Sequence, residues 1–137
     1  MKKSVISIIM ICCILFMSAS VTLQAAQVQP RWDNISYITA EIGFSRTNGT
    51  VSVIIVGDPG VSNITADIRL YYKNTSGSWV EIAKDWDYDV DQDILAISES
   101  FTGVAGREYK IEVSGTVTKN GHAESISKTA TATCPRS

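Results

Sequence analysis

Five aspartates alternate with other residues in Asp85-Trp86-Asp87-Tyr88-Asp89-Val90-Asp91-Gln92-Asp93, the most unusual local pattern in the chain. Carboxylate oxygens are what a hard cation such as Ca2+ prefers, which makes Asp87, Asp89, Asp91 and Asp93 the candidate metal ligands. A helix-loop-helix calcium loop counted from Asp87 needs glycine at its sixth place and a bidentate glutamate at its twelfth, and the chain has Gln92 and Ser98 there. In extended backbone the alternate carboxylates share one side and spread apart. The competing reading is an edge strand whose like charges discourage pairing with another sheet. Trp86 and Tyr88 within the same stretch, with Tyr71 and Trp79 upstream, suggest a second use: aromatic rings with polar neighbours form platforms for sugar rings or the centre of a protein interface.

Catalytic chemistry finds little to work with. His122 is the sole histidine and follows Gly121 in a turn-like sequence, without a motif that supplies a nucleophile and an orienting carboxylate. No serine sits in a nucleophile elbow. Zinc needs several nitrogen or sulfur ligands, and past the amino terminus only His122 and Cys134 are of that kind. Asn34-Ile35-Ser36, Asn48-Gly49-Thr50, Asn63-Ile64-Thr65 and Asn74-Thr75-Ser76 match the glycosylation acceptor pattern, but these residue types are also what turns use.

The 137 residues leave room for one domain. Lys2-Lys3, an apolar run over 5–17 broken by Ser7, and small residues at Ser18, Ala19, Ser20, Ala25 and Ala26 form the basic, apolar and cleavage regions of a secretory signal over 1–26. A membrane anchor needs about 18 or more apolar residues, a length reached only by counting 18–23 as embedded. Removing Lys2 and Lys3 leaves ten of the 12 basic residues against 14 acidic ones, a formal charge of about −4 that attracts neither nucleic acid nor anionic lipid. The exported domain must close its core without a disulfide, because Cys134 is its single cysteine; the expectation is an unpaired thiol on a frayed tail.

Strands position all of these residues. Tyr109, Ile111, Val113, Gly115 and Val117 take one parity and Glu108, Lys110, Glu112, Ser114, Thr116 and Thr118 the other, the period of a strand with one buried and one wetted face. Asn120-Gly121 then supplies a positive-φ dipeptide, and the chain returns antiparallel over 123–133. Upstream, Pro30 keeps the lead-in over 27–36 extended, with Trp32 folding under the first sheet. Ile38, Ala40, Ile42 and Phe44 make a first strand; 50–56, dense in β-branched residues, reads as a buried second one. In the third, Ile64, Ala66, Ile68, Leu70 and Tyr72 oppose Thr65, Asp67, Arg69, Tyr71 and Lys73, and Asn74-Thr75-Ser76-Gly77 turns it into 79–84. With 94–100 this makes roughly seven short strands and no helical period, an all-β antiparallel sandwich over 37–134 with a tail at 135–137.

From 104 to 133 the chain resembles the last two strands of fibronectin type III and immunoglobulin-like domains. In those, a loop glycine three residues before a tyrosine opens a strand of alternating apolar residues; Gly106 and Tyr109 match that pair, and Ile111 and Val113 the inward positions. The resemblance implies that the tyrosine hydroxyl bonds back to the loop backbone before it. Ala105 stands where proline is usual, Gly103 where leucine is usual, and no cysteine pair bridges the sheets. A signal sequence followed by Gln29-Pro30-Arg31-Trp32 and Ile35 also resembles a group of short exported proteins of Gram-positive bacteria without assigned activity, which implies an exported bacterial β-domain and carries over no site residue. The expected function is a secreted, non-enzymatic binding or structural module that presents a sheet face or loop to a protein or glycan, with Trp86, Tyr88 and Tyr71 in the contact. The alternative is an extracellular module stabilised by Ca2+ at the aspartate stretch.

Overall fold

The computed structural model describes residues 32–136. The export leader expected over 1–26 lies outside them, as does the lead-in up to residue 31. Alternating apolar and polar residues produce eight strands, and no helix occurs among the described residues: β1 (Ile35–Ser45), β2 (Asn48–Gly57), β3 (Val61–Lys73), β4 (Trp79–Ile82), β5 (Asp87–Val90), β6 (Ile94–Thr102), β7 (Glu108–Lys119) and β8 (His122–Thr133). They form two antiparallel sheets. One is β1-β2-β6; the other runs β4-β3-β7-β8, with β5 pairing the stretch of β3 that β4 leaves free.

The inward rows of both sheets close the interior. Val51, Val53 and Ile55 from one sheet meet Ile64, Ile68, Leu70, Ile111, Val113 and Val117 from the other, all essentially without solvent contact. Each fully buried aliphatic side chain contributes roughly 1.5–3 kcal/mol, so this interior needs no sulfur bridge. Asn120 and Gly121, with φ of 51° and 76°, make the tight reversal between β7 and β8, where Lys119 pairs His122. Asn74 Oδ1 accepts the Ser76 and Ser78 amides at 3.1 and 2.8 Å, so this acceptor-pattern asparagine works as a turn residue. Asn34 is buried, its Nδ2 donating to the Val117 and His122 carbonyls at 3.0 and 2.9 Å. Trp32 packs against the core, as the lead-in required.

Three expectations are corrected. There are eight strands where about seven were counted, the additional one being Asp87–Val90, which pairs with β3 as the edge strand that the aspartate stretch also suggested. β2 is not buried on both sides: Ile54 is 40% exposed, since the three-stranded sheet has one wet face and the β-branched run alternates across it. Cys134 is no frayed thiol. Its amide donates to the Arg107 carbonyl at 2.9 Å and its carbonyl accepts from Gly106 at 2.8 Å, which pins the end of the chain to the β6–β7 loop and leaves the residue with 0% exposure. We therefore expect a thiol reagent to leave Cys134 unmodified in the folded protein and to react at its ordinary rate once denaturant unfolds the sandwich; rapid labelling without denaturant would show that the tail is loose.

The Tyr109 hydroxyl accepts the Val104 amide at 2.8 Å, the kind of loop-to-strand bond that the resemblance implied. It ties the loop between the sheets to the strand at the centre of the larger one.

Candidate interaction surface

The wetted row of β3 lies beside the wetted row of β7. Register places Tyr71 opposite Lys110 and Arg69 opposite Glu112, while on the other side of β3, Trp79 stands opposite Lys73 and Glu81 opposite Tyr71. The Lys110 ammonium consequently reaches two rings, its Nζ 4.7 Å from the centroid of Tyr71 and 4.9 Å from that of Trp79. It also donates to Glu112 Oε1 at 2.5 Å. Only 16% of the Lys110 side chain meets solvent, against 46% of Glu112. The Lys110 hydrogen bond and charge hold the Glu112 carboxyl below the usual carboxylate range, although its partial desolvation works the other way. Lys73 Nζ also lies over the Trp79 ring, 5.3 Å from its centroid, and pairs with Glu108 at 3.1 Å. Arg69, 53% exposed, bridges Asp67 and Glu81 at 3.3 and 3.6 Å. Exposed pairs of this kind add little stability, so their effect is to fix the orientation of a flat face of rings and charges. Desolvation on that face, with the Glu112 charge second, pushes the Tyr71 hydroxyl above its ordinary range.

The aspartate stretch divides by parity. Asp87 and Asp89 of β5 turn outward, opposite Asp67 and Thr65 of β3, while Trp86 and Tyr88 turn inward. Asp89 and Asp91 both accept from Asn63 Nδ2, at 2.6 and 3.1 Å, and Asp93 engages the fold through its carbonyl, which accepts from Gly57 at 2.7 Å. Desolvation, then the hydrogen bond to Asp85 and the charges of Asp67 and Asp85, push the Asp87 carboxyl up. A groove of about 310 Å³ lies here, floored by Ala66 and Gly115 and rimmed by Asp67, Asp87, Asp89 and Ser114. Among the described residues no three His, Cys, Asp or Glu side chains converge to hold a metal ion, so the four aspartates first considered as calcium ligands do not form a shell together.

The aromatic residues singled out in the sequence separate as well. Tyr71 and Trp79 come together on the outer face. Trp86 is 7% exposed and belongs to the core; its carbonyl accepts the Ile68 amide at 3.0 Å, which carries β3's edge bonding across the gap between β4 and β5. Tyr88 is half-buried at the open side of the sandwich, where its hydroxyl donates to the Glu99 carboxylate of β6 and so links the two sheets. The residue sequence reasoning missed is Lys110. Its parity placed it on the wetted face, but its contact with two rings depends on the register of three strands.

Desolvation, followed by the hydrogen bond and charge of Glu99, pushes the Tyr88 hydroxyl up to about 12 from 10.0. Because the folded value is raised, the link contributes fully below the unfolded value, and its contribution is lost as pH rises from 10.0 to about 12. In an absorbance titration of tyrosinate, one tyrosine of the native protein should ionise near pH 12, and Tyr88→Phe should remove that step alone. A Tyr88→Phe curve that loses a step near pH 10.0 instead would show the hydroxyl to be free.

His122 is exposed beside the Asn120-Gly121 turn, with neither a nucleophile nor a carboxylate bonded to its ring among the described residues. Compared with protein-family models, curated proteins and solved structures, the chain matches none of them.

Proposed function

We propose that this chain is an exported, non-enzymatic binding module built on an immunoglobulin-like, fibronectin type III-like sandwich, and that the outer face of its larger sheet contacts a protein or glycan partner. The architecture is supported by the strand order, β1-β2-β6 facing β4-β3-β7-β8, and by the bond from the Val104 amide to the Tyr109 hydroxyl. The observation that carries the function is the pair of rings, Tyr71 and Trp79, each within 5 Å of Lys110 Nζ on an otherwise polar sheet face. Such a group offers apolar area, oriented donors and little conformational freedom to lose on binding. Trp86 serves the core instead, and Tyr88 the closure between the sheets.

The test is retention on isolated envelope polysaccharide and on proteins from the culture supernatant, for the wild type and a Tyr71→Ala/Trp79→Ala variant. Both residues are half-buried on the outer face and neither packs against the core, so the variant should melt within a few degrees of the wild type while its retention falls about tenfold or more. Tyr37→Ala, on the opposite sheet, serves as the control. Equal retention of all three proteins would remove this face from consideration.

A further inference from the structure

The two sheets guard their edge strands unequally. Five strands end the sheets: β1, β4, β5, β6 and β8. An exposed edge is a row of unpaired amides and carbonyls, and natural proteins guard it with short length, charge, irregularity or cover. β4 and β5 have four residues each, and β5 carries Asp87 and Asp89. β6 turns Glu99 toward the interior, where Tyr88 covers it. β1 opens with a register irregularity between Ile35 and Tyr37 and carries Glu41 alone. None of these four edges holds a cation, so an antiparallel copy of any of them would meet acid with acid or leave its carboxylate unmatched.

β8 differs on every count. It is 12 residues long, contains no proline, keeps unbroken register with β7 and carries both signs of charge, Glu124 and Lys128. In a two-residue hairpin the flanking pair, Lys119 and His122, bonds to itself, and alternation then directs the backbone of Glu124, Ile126, Lys128 and Ala130 toward β7. The amides and carbonyls of Ala123, Ser125, Ser127, Thr129, Thr131 and Thr133 therefore face the open edge. Among the described residues no backbone hydrogen bond from another element reaches them. The side chains of the same residues are small, uncharged and exposed.

We propose that β8 pairs antiparallel with β8 of a second copy, about a two-fold axis at Ile126. Glu124 and Lys128 lie two residues on either side of Ile126, so this register sets each Lys128 opposite the Glu124 of the other copy and each Ser125 opposite a Ser127. Glu124 already accepts the Asp33 and Asn34 amides at 3.1 and 2.7 Å, which fixes its carboxylate on the side of the strand that Lys128 reaches. The pairing joins two larger sheets into one continuous sheet and leaves the Tyr71/Trp79 face free on both copies, so it stands or falls independently of what that face binds.

Sedimentation of the chain as recovered from cells tests this, with Ser127→Pro and Lys128→Glu as variants. Ser127→Pro removes an edge-facing donor and spares the ladder to β7. Lys128→Glu puts two like-charged pairs at the contact. We expect a concentration-dependent dimer in the wild type, no dimer with Ser127→Pro, and a dimer weakened about tenfold or more by Lys128→Glu, with circular dichroism unchanged in both. A Ser125→Cys/Ser127→Cys variant should cross-link between copies on oxidation, which keeps the test valid if proline disturbs the strand. A wild type that stays monomeric at the highest soluble concentration, or a dimer indifferent to Lys128→Glu and without cross-links, would overturn the proposal.

Discussion

Gly115→Ala should destabilise the domain by about 3 kcal/mol, the upper part of the range for overpacked interiors. Gly115 occupies the inward row of β7, paired with Ala66 of β3 on one side and Ile126 of β8 on the other. A Cβ there would stand 2.0 Å from the Thr65 carbonyl oxygen and 3.0 Å from the Ala66 Cα. Both obstacles are backbone, so no side chain can swing away. Nor can β3 retreat freely, because β5 holds its other edge at Thr65 and Ala66. The next rung shows how close the two strands come: the Thr116 amide donates to Thr65 Oγ1 at 3.0 Å, and the two threonine hydroxyls are 2.9 Å apart. Alanine must push β3 and β7 apart along the ladder at the centre of the larger sheet. For a domain of this size the cost corresponds to a melting point lower by about 12 °C or more. Gly43→Ala provides the comparison, since nothing lies within 4 Å of its Cβ, and there the loss of glycine's freedom in the unfolded chain should leave stability equal or higher. Urea unfolding followed by circular dichroism measures both. Equal midpoints for Gly115→Ala and wild type would mean that the strands do not approach as described.

Why glycine is needed at that position was hidden in the sequence, although the position's parity was not. Alternation along one strand is local, and it identified the inward rows of β3 and β7 residue by residue. What alternation omits is how near the neighbouring backbone runs. The same limit applies to β5. Its four residues are too few for a periodic signal to stand out, so five aspartates in a row of nine residues suggested an edge strand but not its partner, and a calcium loop stood as the alternative. Yet the run did contain its own answer: aspartates on one parity require Trp86, Tyr88 and Val90 on the other, which turns the aromatics inward once β5 pairs with β3. Cys134 was misjudged for a related reason. Nearness to the chain end favours fraying, but two backbone hydrogen bonds to the β6–β7 loop outweigh it, and those partners are far away in sequence.

The surface around Lys110 was legible only in fragments. Tyr71, Trp79 and Lys110 each fell on a wetted row, which is as much as single strands can reveal. Bringing them together takes the pairing of Tyr71 with Lys110 and of Lys73 with Trp79, a product of loop lengths and of which strands become neighbours. Long-range register, not residue type, separates this face from the other polar rows.

Tyr109 should prove the most sensitive side chain of the domain. It is 1% exposed and stands in a group of three rings, with centroids 5.6 Å from Phe44 and 5.2 Å from Phe101, which are themselves 5.5 Å apart. Tyr109→Ala removes the ring from both neighbours and leaves a cavity between the sheets, a loss of about 3–5 kcal/mol. Against a total stability of about 5–15 kcal/mol for a domain of this kind, that is about a fifth of the total or more, and the melting point should fall by about 12 °C or more. Tyr109→Phe isolates the second role of the residue. It keeps the three rings together and deprives the Val104 amide of its acceptor, for about 1–2 kcal/mol. The two substitutions also differ in where they act. With Tyr109→Phe, hydrogen exchange should quicken at Val104 and its loop while the inward residues of β3 and β7 stay protected; with Tyr109→Ala, protection should fall across both sheets together. If Tyr109→Phe left Val104 exchange unchanged, the hydroxyl would not be holding the loop, and the ring alone would account for the burial of Tyr109.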